Sequence, residues 1–117
     1  MKIHLDLGDV CLSAQLDDSV AARDFASLLP LSLSLEDYAA TEKISDLPRR
    51  LSTEGAPAGY AAKAGDLTYY APWGNLAIFH KPFGHASGLV RLGRLDDGVE
   101  LMRRPGPLKV TIRGGDA

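Results

Sequence analysis

The chain opens with alternation. Ile3, Leu5 and Leu7 alternate with Lys2, His4 and Asp6; after Gly8-Asp9 the pattern resumes as Val10, Leu12, Ala14 and Leu16 against Cys11, Ser13 and Gln15. A two-residue turn then pairs Leu7 with Val10, Leu5 with Leu12 and Ile3 with Ala14, three apolar pairs on one face. Glycine at the first turn position fits a type II′ hairpin. Asp17, Asp18 and Ser19 offer capping oxygens, and Ala21, Phe25, Leu28 and Leu29 recur at helical spacing before Pro30, predicting a short helix that plugs one end of a barrel. Leu31 to Glu36 alternates as a half-buried strand, while Asp37 to Arg50 is ambiguous, with Glu42 to Ile44 within it compatible with a short strand. Leu51 to Ala64, rich in Gly, Ala and Pro, reads as a long surface loop.

Asp66 to Tyr70 and Asn75 to His80 read as strands joined by Ala71-Pro72-Trp73-Gly74. Leu76-Ala77-Ile78-Phe79 is apolar on both faces, so this strand should be central and covered. Lys81 to Gly88 is a further loop, and Leu89 to Leu92 is strand-like. Asp96 or Asp97 would cap a second helix through Val99, Leu101 and Met102; Leu108 to Ile112 is a last strand, and the residues from Arg113 read as a frayed tail. Short strands with two short helices predict a mainly β fold, a closed barrel with helical caps and no exposed strand edges.

The length of 117 residues predicts a single domain spanning 1–117. A chain of this size buries roughly two-thirds of its unfolded surface, enough to fold without a metal or disulfide. The net charge of −2 is too near neutral to imply nucleic acid or an anionic membrane as partner. Cys11 is the only cysteine, which suits a reducing compartment. No apolar run reaches the ~20 residues of a membrane span, and the N-terminus lacks a secretory pattern. The expectation is a cytoplasmic protein.

Several segments resemble a known family. Val90 to Met102 resembles the strand, glycine and short helix near the end of cyclophilins. Gly65-Asp66-Leu67-Thr68-Tyr69-Tyr70, the Pro72–Gly74 turn and the apolar strand after it look like a bacterial family of small cyclophilin-like proteins, as do Asp24 to Pro30, Glu36-Asp37-Tyr38 and Leu47 to Leu51. The resemblance covers about residues 18 to 103 and implies an eight-stranded cyclophilin-like barrel smaller than true cyclophilin. True cyclophilins isomerise prolyl bonds with an Arg followed closely by a Phe and a Gln. Arg49 or Arg50 would take the place of the Arg, whereas Leu51-Ser52-Thr53-Glu54-Gly55 supplies neither of the others.

Candidate chemistry is sparse. Arg49 and Arg50 offer forked donors for a carboxylate or carbonyl, against the alternative of solvated arginines near Asp46 and Glu42. Adjacent Tyr69 and Tyr70 must face opposite sides of their strand. Trp73 reads as a clamp on the barrel end ahead of a ligand wall, and Phe79 as core. His80 and His85 flank Lys81-Pro82-Phe83-Gly84, at a spacing that does not make a helical metal pair. His4 reads as solvated, and Cys11 has no basic neighbour in the local sequence. No phosphate loop, dinucleotide fingerprint or nucleophile elbow is present, so no cofactor or metal is implied.

These features point to a binding domain rather than an enzyme. Its cleft would be lined by Arg49, Arg50, Tyr60, Tyr70, Trp73 and His85, and would take a small organic acid or an extended peptide. The alternatives are a peptidyl-prolyl isomerase, a small-metabolite enzyme using an Arg/His site, and an assembly protein.

Overall fold

The hairpin forms in the register that the apolar pairs dictate. In a computed structural model that describes residues 1–115, β1 (Lys2–Asp6) and β2 (Cys11–Leu16) pair Ile3 with Ala14 and Leu5 with Leu12. Gly8 takes a φ of +95° at the turn, which a side chain would resist. All four paired residues are buried. Next comes α1 (Val20–Ala26), whose first turn is closed by Ser19: its Oγ accepts from the Ala22 amide at 3.1 Å. Ala21, Ala22 and Phe25 form the buried stripe that seals the barrel.

Six more barrel strands follow: β3 (Leu31–Tyr38), β4 (Glu42–Asp46), β6 (Asp66–Tyr70), β7 (Asn75–Phe79), β9 (Leu89–Leu95) and β10 (Leu108–Gly114). They close in the order β1-β10-β3-β4-β7-β6-β9-β2, and all neighbours are antiparallel. The fold is therefore mainly β, with an eight-stranded closed barrel. Two further strands, β5 (Gly59–Tyr60) and β8 (Ala86–Ser87), form a separate ribbon. They lie inside the segments read from sequence as loops, because two-residue strands leave no periodicity to detect.

The C-terminal region corrects three expectations. The second cap is a 3₁₀ helix, Val99–Arg103, leaving one short α-helix among the described residues. Neither Asp96 nor Asp97 caps it. Gly98 occupies that position at a φ of +76°, and Asp96 instead accepts from Ser13 Oγ at 2.7 Å and Gln15 Nε2 at 3.2 Å. Arg113 and Gly114 belong to β10, paired with His4 and Ile3, and the Gly115 amide donates to the Lys2 carbonyl. Of the residues expected to fray, 116–117 lie outside the described residues.

Strand β7 is buried at every position. Leu76 and Ile78 join the barrel interior, while Ala77 and Phe79 join a smaller cluster with Ala62 and Leu89. Ile44, Tyr60, Tyr70 and Ala86 pack against that cluster. The run is apolar on both faces because the barrel fills one and the β5–β8 side covers the other.

One polar group crosses the interior side. Lys43 pairs with Ile78 and is 0% exposed. Its ammonium donates to the carbonyls of Arg104 at 2.6 Å and Gly106 at 2.5 Å, and meets Asp37 Oδ1 at 2.7 Å. Three donors find three acceptors, so the buried charge is satisfied. No helix of the described residues is long and apolar enough to cross a membrane.

Candidate functional site

The outer face of β4 and β7 carries a cavity. Alternation fixes which side chains reach it: Glu42 and Ile44 from β4, and Asn75, Ala77 and Phe79 from β7. Glu42 lies opposite Phe79, and Ile44 opposite Ala77. Tyr38 enters from the end of β3, where it pairs with Glu42, and Tyr70 and Leu89 come from a paired position on β6 and β9. Phe83 and Ala86 close the far side. The cavity, open to solvent on one side, has a volume of about 180 Å³. Drug-sized pockets run about 300–1,000 Å³, so this one suits a small molecule or one side chain.

Trp73 forms the outer wall. The β6–β7 turn places it there, with the Trp73 and Gly74 amides both donating to the Tyr70 carbonyl and Gly74 at a φ of +69°. The indole meets Tyr38 and Tyr70 edge-on, with centroids at 5.4 and 5.3 Å. It remains 54% exposed, so it is a wall and not the clamp expected on the barrel end. The opposite wall is a tilted Phe79–Phe83 pair at 5.7 Å, with Phe83 held by its amide bond to the Ala62 carbonyl.

Two acceptors sit in this aromatic setting without donors. Glu42 is 8% exposed, and its carboxylate has no hydrogen bond or ion pair among the described residues. Burial pushes its pKa up to about 7. Asn75 is 3% exposed; its amide nitrogen donates to the Leu76 carbonyl at 3.1 Å, and its Oδ1 is buried without a partner. A buried acceptor without a donor costs about 1–3 kcal/mol. That orphaned oxygen and an unpaired carboxyl beside one cavity make a pattern that a ligand would complete.

The other predicted residues lie elsewhere. Tyr70 and Trp73 reach the cavity; Arg49, Arg50, Tyr60 and His85 are not in its lining. Arg49 binds Asp24 through both terminal nitrogens, at 2.8 and 3.0 Å, and Ser27 Oγ at 2.9 Å. Its charge is thus spent on α1. The Ser52 amide donates to the same carboxylate at 2.7 Å, and these bonds, led by that from Arg49, hold the Asp24 pKa down at about 2. Arg50 donates to the Ala71 carbonyl at 2.6 Å, so it braces the turn that carries Trp73. Tyr60 donates to Asp66 at 2.6 Å and lines a separate cleft with Arg91. Burial, then the bond to Asp66, raises its phenol pKa. His85 is exposed, with its ring against Gly59.

Other side chains also fall where tertiary packing decides. Tyr69 is buried in the barrel and accepts from the Leu51 amide at 3.1 Å, while Tyr70 faces outward, as their adjacency requires. Phe79 is buried, but in the outer cluster. His80 is buried, and desolvation, then the charge of Arg103, lowers its pKa. It lies with Asp37 and Arg103 in another cleft. Cys11 is exposed and gains a basic neighbour from across the sheet, with Arg113 Nη2 at 3.8 Å from its sulfur. No group of three or more His, Cys, Asp or Glu placed to hold a metal occurs among the described residues.

The sequence reading missed Glu42, Asn75, Tyr38 and Phe83 as site residues. A signal existed for two of them. Glu42 and Asn75 bound strands whose remaining outward positions, Ile44, Ala77 and Phe79, are apolar, so a polar side chain there shares a covered face.

Comparison with known proteins bears on the fold. No curated protein matches the sequence. The chain is similar to a hypothetical protein from Archaeoglobus fulgidus whose structure was determined in solution, with 16% identity over 98% of this chain and 95% of that one and a TM-score of 0.67. At that identity the likeness concerns the fold alone. A family model described as the cyclophilin-like family matches residues 5–113. With the closed barrel and a match over nearly its whole length, the chain belongs to the cyclophilin-like family.

Proposed function

We propose that this domain binds a small organic ligand, or one side chain of a peptide segment, in the cavity under Trp73. The observation that carries this reading is the buried, donor-less Asn75 Oδ1 beside a Glu42 carboxyl that makes no hydrogen bond or ion pair among the described residues, both in the lining of an aromatic cavity. Other buried charges are satisfied: Lys43 meets two carbonyls and Asp37, and Asp66 accepts from the Tyr60 hydroxyl and the Lys63 amide. Thr41 Oγ1, His80 Nδ1 and Arg91 Nε are also buried without hydrogen-bond partners, but only Glu42 and Asn75 lie together in an aromatic concavity, and that setting favours a binding role over a purely structural one. The residues on hand do not favour a small organic acid there, because no Arg, Lys or His lines the cavity. Nor do they favour prolyl isomerisation, since Arg49 is engaged by Asp24 and no second Arg replaces it.

Trp73 is the only tryptophan, so its fluorescence reports on this site alone. A screen of metabolites and short peptides by thermal shift and by Trp73 emission tests the reading. Ala77→Val, which fills the floor with a strand-compatible side chain, should abolish any hit while the protein stays folded. Hits that survive Ala77→Val would place binding elsewhere.

A further inference from the structure

The polar inventory of the cavity narrows the ligand class, given the binding role proposed above. We infer that the cavity selects an organic ammonium bearing N–H donors, with Glu42 as its counter-ion and Asn75 Oδ1 as a second acceptor. The ammonium could belong to a free alkylamine or to a lysine side chain, which present the same chemistry.

Three observations converge on this class. First, Asn75 Oδ1 is a buried acceptor without a donor, and the Glu42 carboxyl beside it makes no hydrogen bond or ion pair, so a bound donor that also stabilises the carboxylate would complete both. Second, no basic side chain lines the cavity, and its walls are Tyr38, Tyr70, Trp73, Phe79 and Phe83. Aromatic faces attract cations and give nothing to anions. Third, the volume of about 180 Å³ accommodates an aliphatic amine of a few carbons.

Proton balance follows from the same geometry. An empty cavity favours the neutral acid of Glu42, because burial penalises the anion. A bound ammonium favours the carboxylate, so below neutrality binding expels one proton from Glu42 to solvent. No charged group faces Glu42 in the cavity lining. Tyr38 on β3 and Tyr70 on β6 are phenols; β7 supplies Asn75, Ala77 and Phe79; the loop beyond supplies Phe83 and Ala86. Lys43 points into the barrel, and His80 lies with Asp37, Lys81 and Arg103 in a separate cleft.

The test follows Trp73 emission during titration with n-butylammonium, Nα-acetyl-lysine amide, tetramethylammonium and butyrate. Saturable binding of n-butylammonium at pH 8 is expected, weakening about tenfold for each pH unit below about 7. Glu42→Gln should weaken it by about tenfold to a hundredfold, the scale of a lost charge-assisted bond, and flatten its pH dependence. Tetramethylammonium should bind more weakly, having no N–H, and butyrate not at all. Comparable binding of the lysine derivative would assign a peptide source; its failure beside n-butylammonium would assign a free amine. Equal affinity in Glu42→Gln, or preference for butyrate, overturns the ammonium inference and leaves ligand binding in the cavity standing. If none of the four probes changes Trp73 emission, the ammonium inference falls. Binding in the cavity falls with it only if the metabolite screen gives no hit sensitive to Ala77→Val.

Discussion

The indole of Trp73 meets the ring of Tyr38 at 5.4 Å and nearly at right angles, across the outer face of β4. The two residues lie 35 positions apart in sequence and belong to different hairpins of the barrel. Their contact makes an exposed turn into the wall of a cavity. Edge-to-face aromatic pairs contribute about 0.5–1.5 kcal/mol beyond area burial. Trp73→Ala should therefore cost only about 1–2 kcal/mol of stability, since the indole is 54% exposed, while opening the cavity to solvent. Chemical denaturation should show a small loss, and ligand titration a large one. A loss beyond about 4 kcal/mol, typical of a core aromatic, would return Trp73 to a structural role.

Glu42 should make the protein less stable as pH rises. Its folded pKa is about 7, against an ordinary value of 4.5. Between those values the unfolded chain has released the proton and the folded chain has kept it, so stability falls with rising pH across that window and is flat above it. The full effect is about 2–3 kcal/mol, taken from the shift and reduced for residual solvent access. Glu42→Gln should remove this slope and be the more stable protein at pH 8. Urea midpoints at pH 5 and pH 8 decide it; identical slopes in both proteins would mean that the carboxylate is hydrated.

Asp24 titrates in the opposite sense. Arg49 and the Ser52 amide hold its pKa at about 2, below the ordinary 3.8. Its contribution is complete above pH 3.8 and is lost as pH falls toward about 2. The pair is partly exposed, so screening leaves about 1 kcal/mol. Asp24→Asn should lower the thermal midpoint at pH 7 and loosen the 49–52 segment, visible as faster amide exchange at Ser52. Unchanged Ser52 protection would show that the carboxylate does not hold the segment.

Lys43→Met keeps the apolar stem and removes the ammonium. The carbonyls of Arg104 and Gly106 then lose their donor. An expected cost of about 2–4 kcal/mol follows from leaving them unsatisfied, less whatever water recovers. The 104–107 turn should become protease-sensitive in native conditions. A variant as stable and as resistant as the parent would show that solvent replaces the lysine freely.

Gly93 is required by the approach of β9 to β2. A Cβ there would collide with the backbone carbonyl of Gln15, which has no flexible end to move aside. Gly93→Ala should cost about 1–3 kcal/mol as overpacking, read from a urea curve, where wild-type stability would indicate a looser seam.

Part of this was legible in the residues. The hairpin register followed from Ile3, Leu5, Leu12 and Ala14, because a period of two with one buried face admits one alignment. The double-sided apolar run at Leu76 to Phe79 announced a covered central strand for the same reason. The second cap went astray at Asp96, whose carboxylate found Ser13 and Gln15 more than eighty positions away in sequence. A capping residue and a cross-strand acceptor look identical in one dimension.

The sequence by itself determined short strands that each bury one face, because alternate side chains of a strand point to opposite sides, and their closure into a barrel is seen in the structure. It marked Tyr70 and Trp73, both of which line the cavity, through their local setting. Only the tertiary structure decided which charges were free. It bound Arg49 to Asp24 and left Glu42 alone among aromatic rings, since whether a charged group has a partner depends on residues that folding, and not chain order, brings beside it.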